Sequence, residues 1–225
     1  MHLVHGDCAA AKPKNYGIVL LRAFDGMDIF GPIDALQLLA HWQQLNLYLI
    51  ADTLDPVTSE PAAAAMNLFN SSFWPEVLPT HTYDTAPDLD VLILPGGPSV
   101  RAPNLNSTYD FIAQRYPTLK YLITICTGAG LAAKAGVLDG KRATTNKSAW
   151  ATILAMGLNV KWVSPARWVV DGNVTAGLDL IFEFIKNIYS QEDADKIAGM
   201  MEYERHTDPS WDPFAAYFNV TPTGN

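Results

Sequence analysis

The chain has 225 residues, 49% of them hydrophobic and 17% charged, an ordinary globular composition with room for one sizeable α/β domain. A formal net charge of −8 argues against a nucleic-acid partner, which would want a basic face. No apolar run approaches a membrane span, and the first fifteen residues lack the continuous apolar stretch of a secretory signal. The expectation is therefore a flexible extension over 1–15, a single domain over 16–225, and a cytoplasmic protein with no membrane partner.

In chain order, Tyr16–Arg22 is a first buried strand. The loop Ala23–Pro32 follows, with Pro32 suited to the first turn of a helix that runs to Trp42. Leu45–Ala51 is a second strand. Asp52–Thr85 is polar and proline-punctuated, which predicts short strands and turns, with a hairpin among them. Leu89–Leu94 is a strand that stops at Pro95-Gly96-Gly97-Pro98, and Ser107–Tyr116 is a helix.

Tyr121–Ile125 is then a short apolar strand, and the small residues Thr127–Lys134 read as a helix with no loop between them. Cys126 falls on the turn itself, the arrangement of a nucleophile elbow. Gly128 and Gly130 leave room for the close approach such a turn needs. A helix N-terminus beside the thiol predicts a lowered pKa; the plainer alternative is a buried structural cysteine.

Beyond it come a short strand ending at Thr145, a helix over Ser148–Met156, short strands at Val160–Val163, Ala166–Val170 and Asn173–Thr175, and a hairpin turn at Asp171-Gly172. Leu178, Ile181, Phe182, Ile185 and Ile188 recur at helical spacing, so a long amphipathic helix begins near Gly177, followed by another over Gln191–Met201. Strands alternating with helices call for a doubly wound, mainly parallel sheet. Ligands bind beyond the carboxyl ends of such strands, where Gly96, Gly97 and Cys126 would all lie.

Cys8 and Cys126 are the only cysteines, which is no disulfide framework. Five N-x-S/T triplets, at Asn70, Asn106, Asn146, Asn173 and Asn219, read as chance matches.

Phe24-Asp-Gly-Met-Asp-Ile-Phe-Gly-Pro32, Val91–Gly97, Ile125–Gly128, Arg142–Thr145 and Ala166–Asn173 together resemble the ThiJ/PfpI superfamily, in their order as well as their residues. The resemblance covers about Tyr16 to Phe214 and implies a flavodoxin-like sandwich with a cysteine on the elbow. The Cys-Thr-Gly elbow and the Met-Asp-Ile-Phe-Gly-Pro loop look most like the isonitrile hydratase-like branch, and the stretch Tyr203–Phe214 is similar to the tail of fungal members.

By this resemblance Cys126 is the nucleophile and Asp28 the carboxylate beside it, able to carry a proton once desolvated. Asp28 could instead be a helix-entry aspartate, and Asp25 competes for either role. The N–H groups of Gly97 and Thr127 are candidate oxyanion donors, with Gly96 beside them. Gly97 could equally serve the turn alone, and Thr127 could cap the helix.

Many members place a histidine where this chain has Asn146, which can orient or hydrogen-bond but cannot act as a base near neutral pH. His206, carried on the aromatic tail, is the only histidine in the second half of the chain and reads as a surface group.

The leading functional expectation is a cysteine-dependent hydratase or lyase on a small organic molecule, with isonitrile hydration as the type reaction and no metal or organic cofactor. An apolar pocket would draw on Phe30, Trp74, Trp150, Trp168 and Trp211. Competing expectations are glyoxalase- or deglycase-like handling of 2-oxoaldehydes, a specialised biosynthetic step, and a non-catalytic cysteine sensor. The superfamily resemblance also implies a homodimer.

Overall fold

The computed structural model describes residues 11–172, 174–176 and 179–224. The first elements are β1 (Asn15–Val19), α1 (Gly26–Leu39), β2 (Asn46–Ala51), β3 (Val57–Thr58), β4 (Glu76–Val77), β5 (His81–Thr82), β6 (Val91–Leu94) and α2 (Asn106–Arg115). After them come β7 (Tyr121–Thr124), α3 (Ala129–Lys134), β8 (Arg142–Ala143), α4 (Trp150–Leu154) and β9 (Lys161–Trp162). The chain closes with β10 (Val169–Asp171), β11 (Val174–Ala176), α5 (Leu180–Ile188), α6 (Gln191–Met200) and α7 (Pro213–Tyr217).

The central sheet runs β10-β11-β7-β6-β1-β2-β5, with every neighbour parallel except β10 against β11. Inside the two edge strands β10 and β5, the order β2-β1-β6-β7-β11 is flavodoxin-like, second, first, third, fourth and fifth of these five in the chain. Buried on both faces, β6 is continuously apolar, and the pleat deals its residues to two cores. Val91 and Ile93 join Ile29 of α1 and Ile185 of α5 in one, while Leu92 and Leu94 join Ile112 of α2 and Leu131 of α3 in the other.

Several expectations are corrected. Helix α1 starts at Gly26, so Pro32 lies inside it rather than in its first turn. Lacking an N–H, Pro32 leaves the carbonyl of Asp28, four residues earlier, without its helical donor. The excursion 52–85 does contain the antiparallel pair β3–β4, but β5 leaves it to extend the main sheet beside β2. Helix α5 begins at Leu180, while Gly177, Leu178 and Asn173 lie outside the described residues. The tail folds a further helix, α7, which was not among the expected elements.

Residues 1–10 of the expected extension are likewise outside the described residues, but the segment that follows is tied down. Tyr189 donates from its hydroxyl to the Pro13 carbonyl at 2.8 Å, the Lys14 N–H donates to Asp90 at 2.8 Å, and Asn15 is already in β1. Among the described residues no helix is long and apolar enough to cross a membrane.

Candidate active site

Three loops at the carboxyl ends of β1, β6 and β7 converge. The Asp25 N–H donates to the Gly96 carbonyl at 3.1 Å, the Ser99 N–H to Ala23 at 3.3 Å, and the Ile125 N–H to Leu94 at 3.0 Å. Cys126 sits at φ 55°, a left-handed conformation that costs a non-glycine residue about 1–2 kcal/mol. The turn is over-determined around it. The Gly128 N–H closes onto the Ile125 carbonyl at 2.8 Å, and the Thr145 hydroxyl donates to the Cys126 carbonyl at 3.0 Å.

Gly128 is required because a Cβ there would lie 2.0 Å from the Leu94 carbonyl oxygen. Gly130 serves a different purpose from the one expected. Its missing Cβ would meet Met156 and Ile153, so it lets α3 lie close to α4 rather than shaping the elbow.

Asp28 comes from the first turn of α1 and is 5% exposed, whereas Asp25, at the N-cap position, is exposed and makes no capping bond with its side chain. A carboxylate oxygen of each and Cys126 Sγ lie within 4.8 Å of one another. The structure thus brings Cys126, Asp28 and Asp25 together. Of the two acids, only Asp28 is buried.

Asn146 joins them. Its Oδ1 accepts from the Ser148 N–H at 2.9 Å and the Ser148 hydroxyl at 2.6 Å, which turns its amide Nδ2 to donate to Cys126 Sγ at 3.2 Å. Beside the sulfur this chain holds a fixed amide donor, not a base.

The oxyanion expectation is revised for the glycine loop. The Gly96 N–H donates to Asp28 Oδ2 at 3.0 Å, and the Gly97 N–H to the Thr127 hydroxyl at 2.9 Å, so both are already engaged inside the protein. Gly97 holds φ 124°, and a Cβ on it would meet the Ala23 carbonyl at 2.6 Å; the turn itself demands glycine. The Thr127 hydroxyl ties the elbow to Gly97, donating to its carbonyl at 3.2 Å, and caps no helix. The Thr127 N–H supports the sulfur.

Electrostatics overturn the expected low thiol pKa. Burial, then the charge of Asp28, push Cys126 up to about 12, against smaller opposing contributions from Asn146 and the Thr127 N–H. The elbow continues as a 3-10 turn, and α3 begins only at Ala129, so little helix dipole reaches the sulfur. Asp28 moves the same way: burial, then Asp25, raise its carboxyl to about 6, although the Gly96 N–H and Cys126 pull it down. Two acids side by side and largely buried hold on to a proton between them.

The cleft over this group has a volume of about 400 Å³. Its apolar wall is Met27, Phe214 and Phe218, none of which was expected there. The aromatics that were expected go elsewhere. Trp168 is in the core, Trp150 packs edge-on against Trp162, and Trp211 stacks on His206 with ring centroids 4.0 Å apart. Trp74 donates to the Ser71 carbonyl, and Phe30 of α1 packs edge-on against Phe24.

Also missed was Lys147, 7% exposed, whose ammonium donates to the Thr144 hydroxyl, the Thr145 and Ala166 carbonyls and Asp212, all within 3.1 Å. Asp212 also accepts from the Ala166, Phe214 and Ala215 N–H groups, so it docks α7 against the cleft. The one local hint of this was Asp212-Pro213, a helix-start signature.

A profile of the DJ-1/PfpI family matches residues 17–191. The chain belongs to the DJ-1/PfpI family. It is 29% identical over 195 residues to an isonitrile hydratase of Pseudomonas putida, covering 83% of this chain and 77% of that one. A crystal structure of a ThiJ/PfpI family protein from Pseudomonas syringae superposes with a TM-score of 0.72 at 25% identity, covering 100% of this chain and 88% of that one. An AraC family transcriptional regulator from Pseudomonas putida shares the fold with a TM-score of 0.67 at 18% identity, covering 84% of this chain and 100% of that one. As a DJ-1/PfpI protein, the chain carries its elbow cysteine between a buried aspartate and an amide.

Proposed function

We propose that the protein hydrates small isonitriles to N-substituted formamides, with Cys126 as nucleophile and Asp28 as the proton carrier. The observation that carries this reading is the Asp28–Cys126–Asn146 group at the foot of a small cleft, and the likeness to an isonitrile hydratase supports it. A preformed thiolate is not needed. As sulfur attacks the terminal isonitrile carbon, Asp28 takes the thiol proton and passes it to that carbon, giving a thioimidate. Water then adds to the same carbon, and Asp28 moves a water proton to the nitrogen. The C–S bond breaks, and the hydroxyl proton returns to sulfur as the formamide leaves. Asn146 supports the negative charge on sulfur at the start and end of the cycle.

The thiol and water supply the protons in this sequence and Asp28 carries them, so the proposal includes no cofactor. It also includes a homodimer in the cytoplasm, in which a partner would cover the exposed Met27 and Phe30 of α1; sedimentation equilibrium tests the assembly.

The deciding experiment is formamide production from a panel of alkyl and aryl isonitriles by wild type and Cys126→Ala, beside a methylglyoxal control. Formamide that disappears with the cysteine supports the reading. Lactate from methylglyoxal, with no formamide, would replace it by the glyoxalase reading despite Asn146. Silence in both would leave a specialised substrate or a sensor.

A further inference from the structure

Two cations line the cleft among the described residues, Lys147 and Arg167. The Lys147 ammonium is spent on four acceptors within the protein. Arg167 is held differently. Its backbone N–H donates to the Pro209 carbonyl at 2.7 Å, and its Nε donates to Asp179 Oδ2 at 2.6 Å. Asp179 is itself buried and accepts from the Tyr203 hydroxyl, whose oxygen in turn accepts from the guanidinium. The guanidinium also lies over the rings of Trp211 and Phe214, at 5.5 and 5.4 Å from their centroids.

Its plane is therefore set by an ion pair on one side and two aromatic rings. Among the described residues no carboxylate or carbonyl oxygen accepts from Nη1 or Nη2. A guanidinium held on one edge by Asp179 and Tyr203 keeps its remaining N–H groups for a carboxylate, and its ordering cost is already met in the free protein. Of the remaining charged groups of the cleft, Asp212 is paired with Lys147, while Asp25 and Asp28 would repel an anion from the cysteine end.

We propose that Arg167 binds a carboxylate on the substrate, so that the preferred substrates are small isocyano-carboxylates oriented with the carboxylate at Arg167 and the isonitrile carbon at Cys126. The isonitrile half of this statement rests on the hydratase reading; the carboxylate half rests on Arg167 alone. The cleft volume of about 400 Å³ holds a molecule of this size.

Two arms test it. In the first, kcat/KM is compared for isocyanoacetate and its neutral methyl ester. Wild type should favour the anion by about tenfold or more, the scale of one charge-assisted hydrogen bond. Arg167→Gln should bring that ratio to unity or below, with most of the change in KM, and Arg167→Lys, which keeps the charge without the fork, should fall between. A wild-type ratio near unity overturns the proposal even if no variant folds. So does a loss in Arg167→Gln that is equal for both substrates, because a merely structural arginine would act on both alike.

The second arm needs no turnover. Cys126→Ala is titrated calorimetrically with N-formylglycine and with its methyl ester. Tighter binding of the acid, lost when Arg167→Gln is added, supports the carboxylate site even if no isonitrile is hydrated. Hydration of neutral isonitriles with no preference for the acid in either arm rejects the Arg167 site and leaves the hydratase reading standing.

Discussion

Asp28 is where stability and chemistry pull against each other. Its carboxyl is raised to about 6 in the folded protein from an ordinary value near 3.8, so ionising it works against the fold. That penalty is absent below about pH 4, grows as pH rises, and is complete above about pH 6. Asp28→Asn keeps an oxygen for the Gly96 N–H and removes the charge. It should stabilise the protein above pH 6 by on the order of 1–3 kcal/mol, with the gain gone at pH 4, while hydration is lost. Thermal melts at the two pH values check this.

The same substitution makes the opposite prediction for sulfur. Because the Asp28 charge helps push the thiol up to about 12, Asp28→Asn should make Cys126 alkylate faster with iodoacetamide at pH 7. Unchanged or slower alkylation would mean that the two groups do not share charge. In wild type, hydration should fall as pH drops through about 6, where Asp28 gains the proton it must accept from the thiol. An acid limb near 4 would speak against that role.

At the scale of elements, the elbow depends on how closely α3 and its leading turn approach the end of β6. Gly128→Ala would place a methyl 2.0 Å from the Leu94 carbonyl, on backbone that cannot retreat. A loss on the order of 3 kcal/mol or more, or failure to fold, is expected. Gly130→Ala meets the ends of Met156 and Ile153 at 3.0 and 3.1 Å, and Met156 can turn aside. The helix propensity gained, about 1 kcal/mol, should roughly offset the squeeze. Chemical denaturation of both variants separates the two glycines, which local sequence treats alike. The alternation of strand and helix was legible because burial on both faces writes long apolar runs. The start of α1 was not, because Pro32 is a stronger local signal than the Asp25-Gly26 pair where the helix begins.

At the scale of the whole molecule, the Lys147–Asp212 pair joins the middle of the chain to its tail, with side chains 5% and 2% exposed. Asp212→Ala removes the cap of α7 and strands a buried ammonium, which should cost about 3–5 kcal/mol. Hydrogen exchange over 213–217 should quicken and KM should rise, because Phe214 and Phe218 no longer wall the cleft. Exchange that stays slow in this variant would show that packing, not the ion pair, seats the helix.

By itself the sequence determined the sheet, the elbow and the pairing of Cys126 with Asp28. Those rest on short-range signals: apolar runs, a strand meeting a helix without a loop, and motifs in a set order. Only the tertiary structure decided which N–H groups were already engaged, which way the thiol and carboxyl pKa values moved, and which side chains enclose the cleft. Asn146, Lys147, Arg167 and Asp212 acquire their parts through partners far away in the chain or through burial. No window of local sequence contains either.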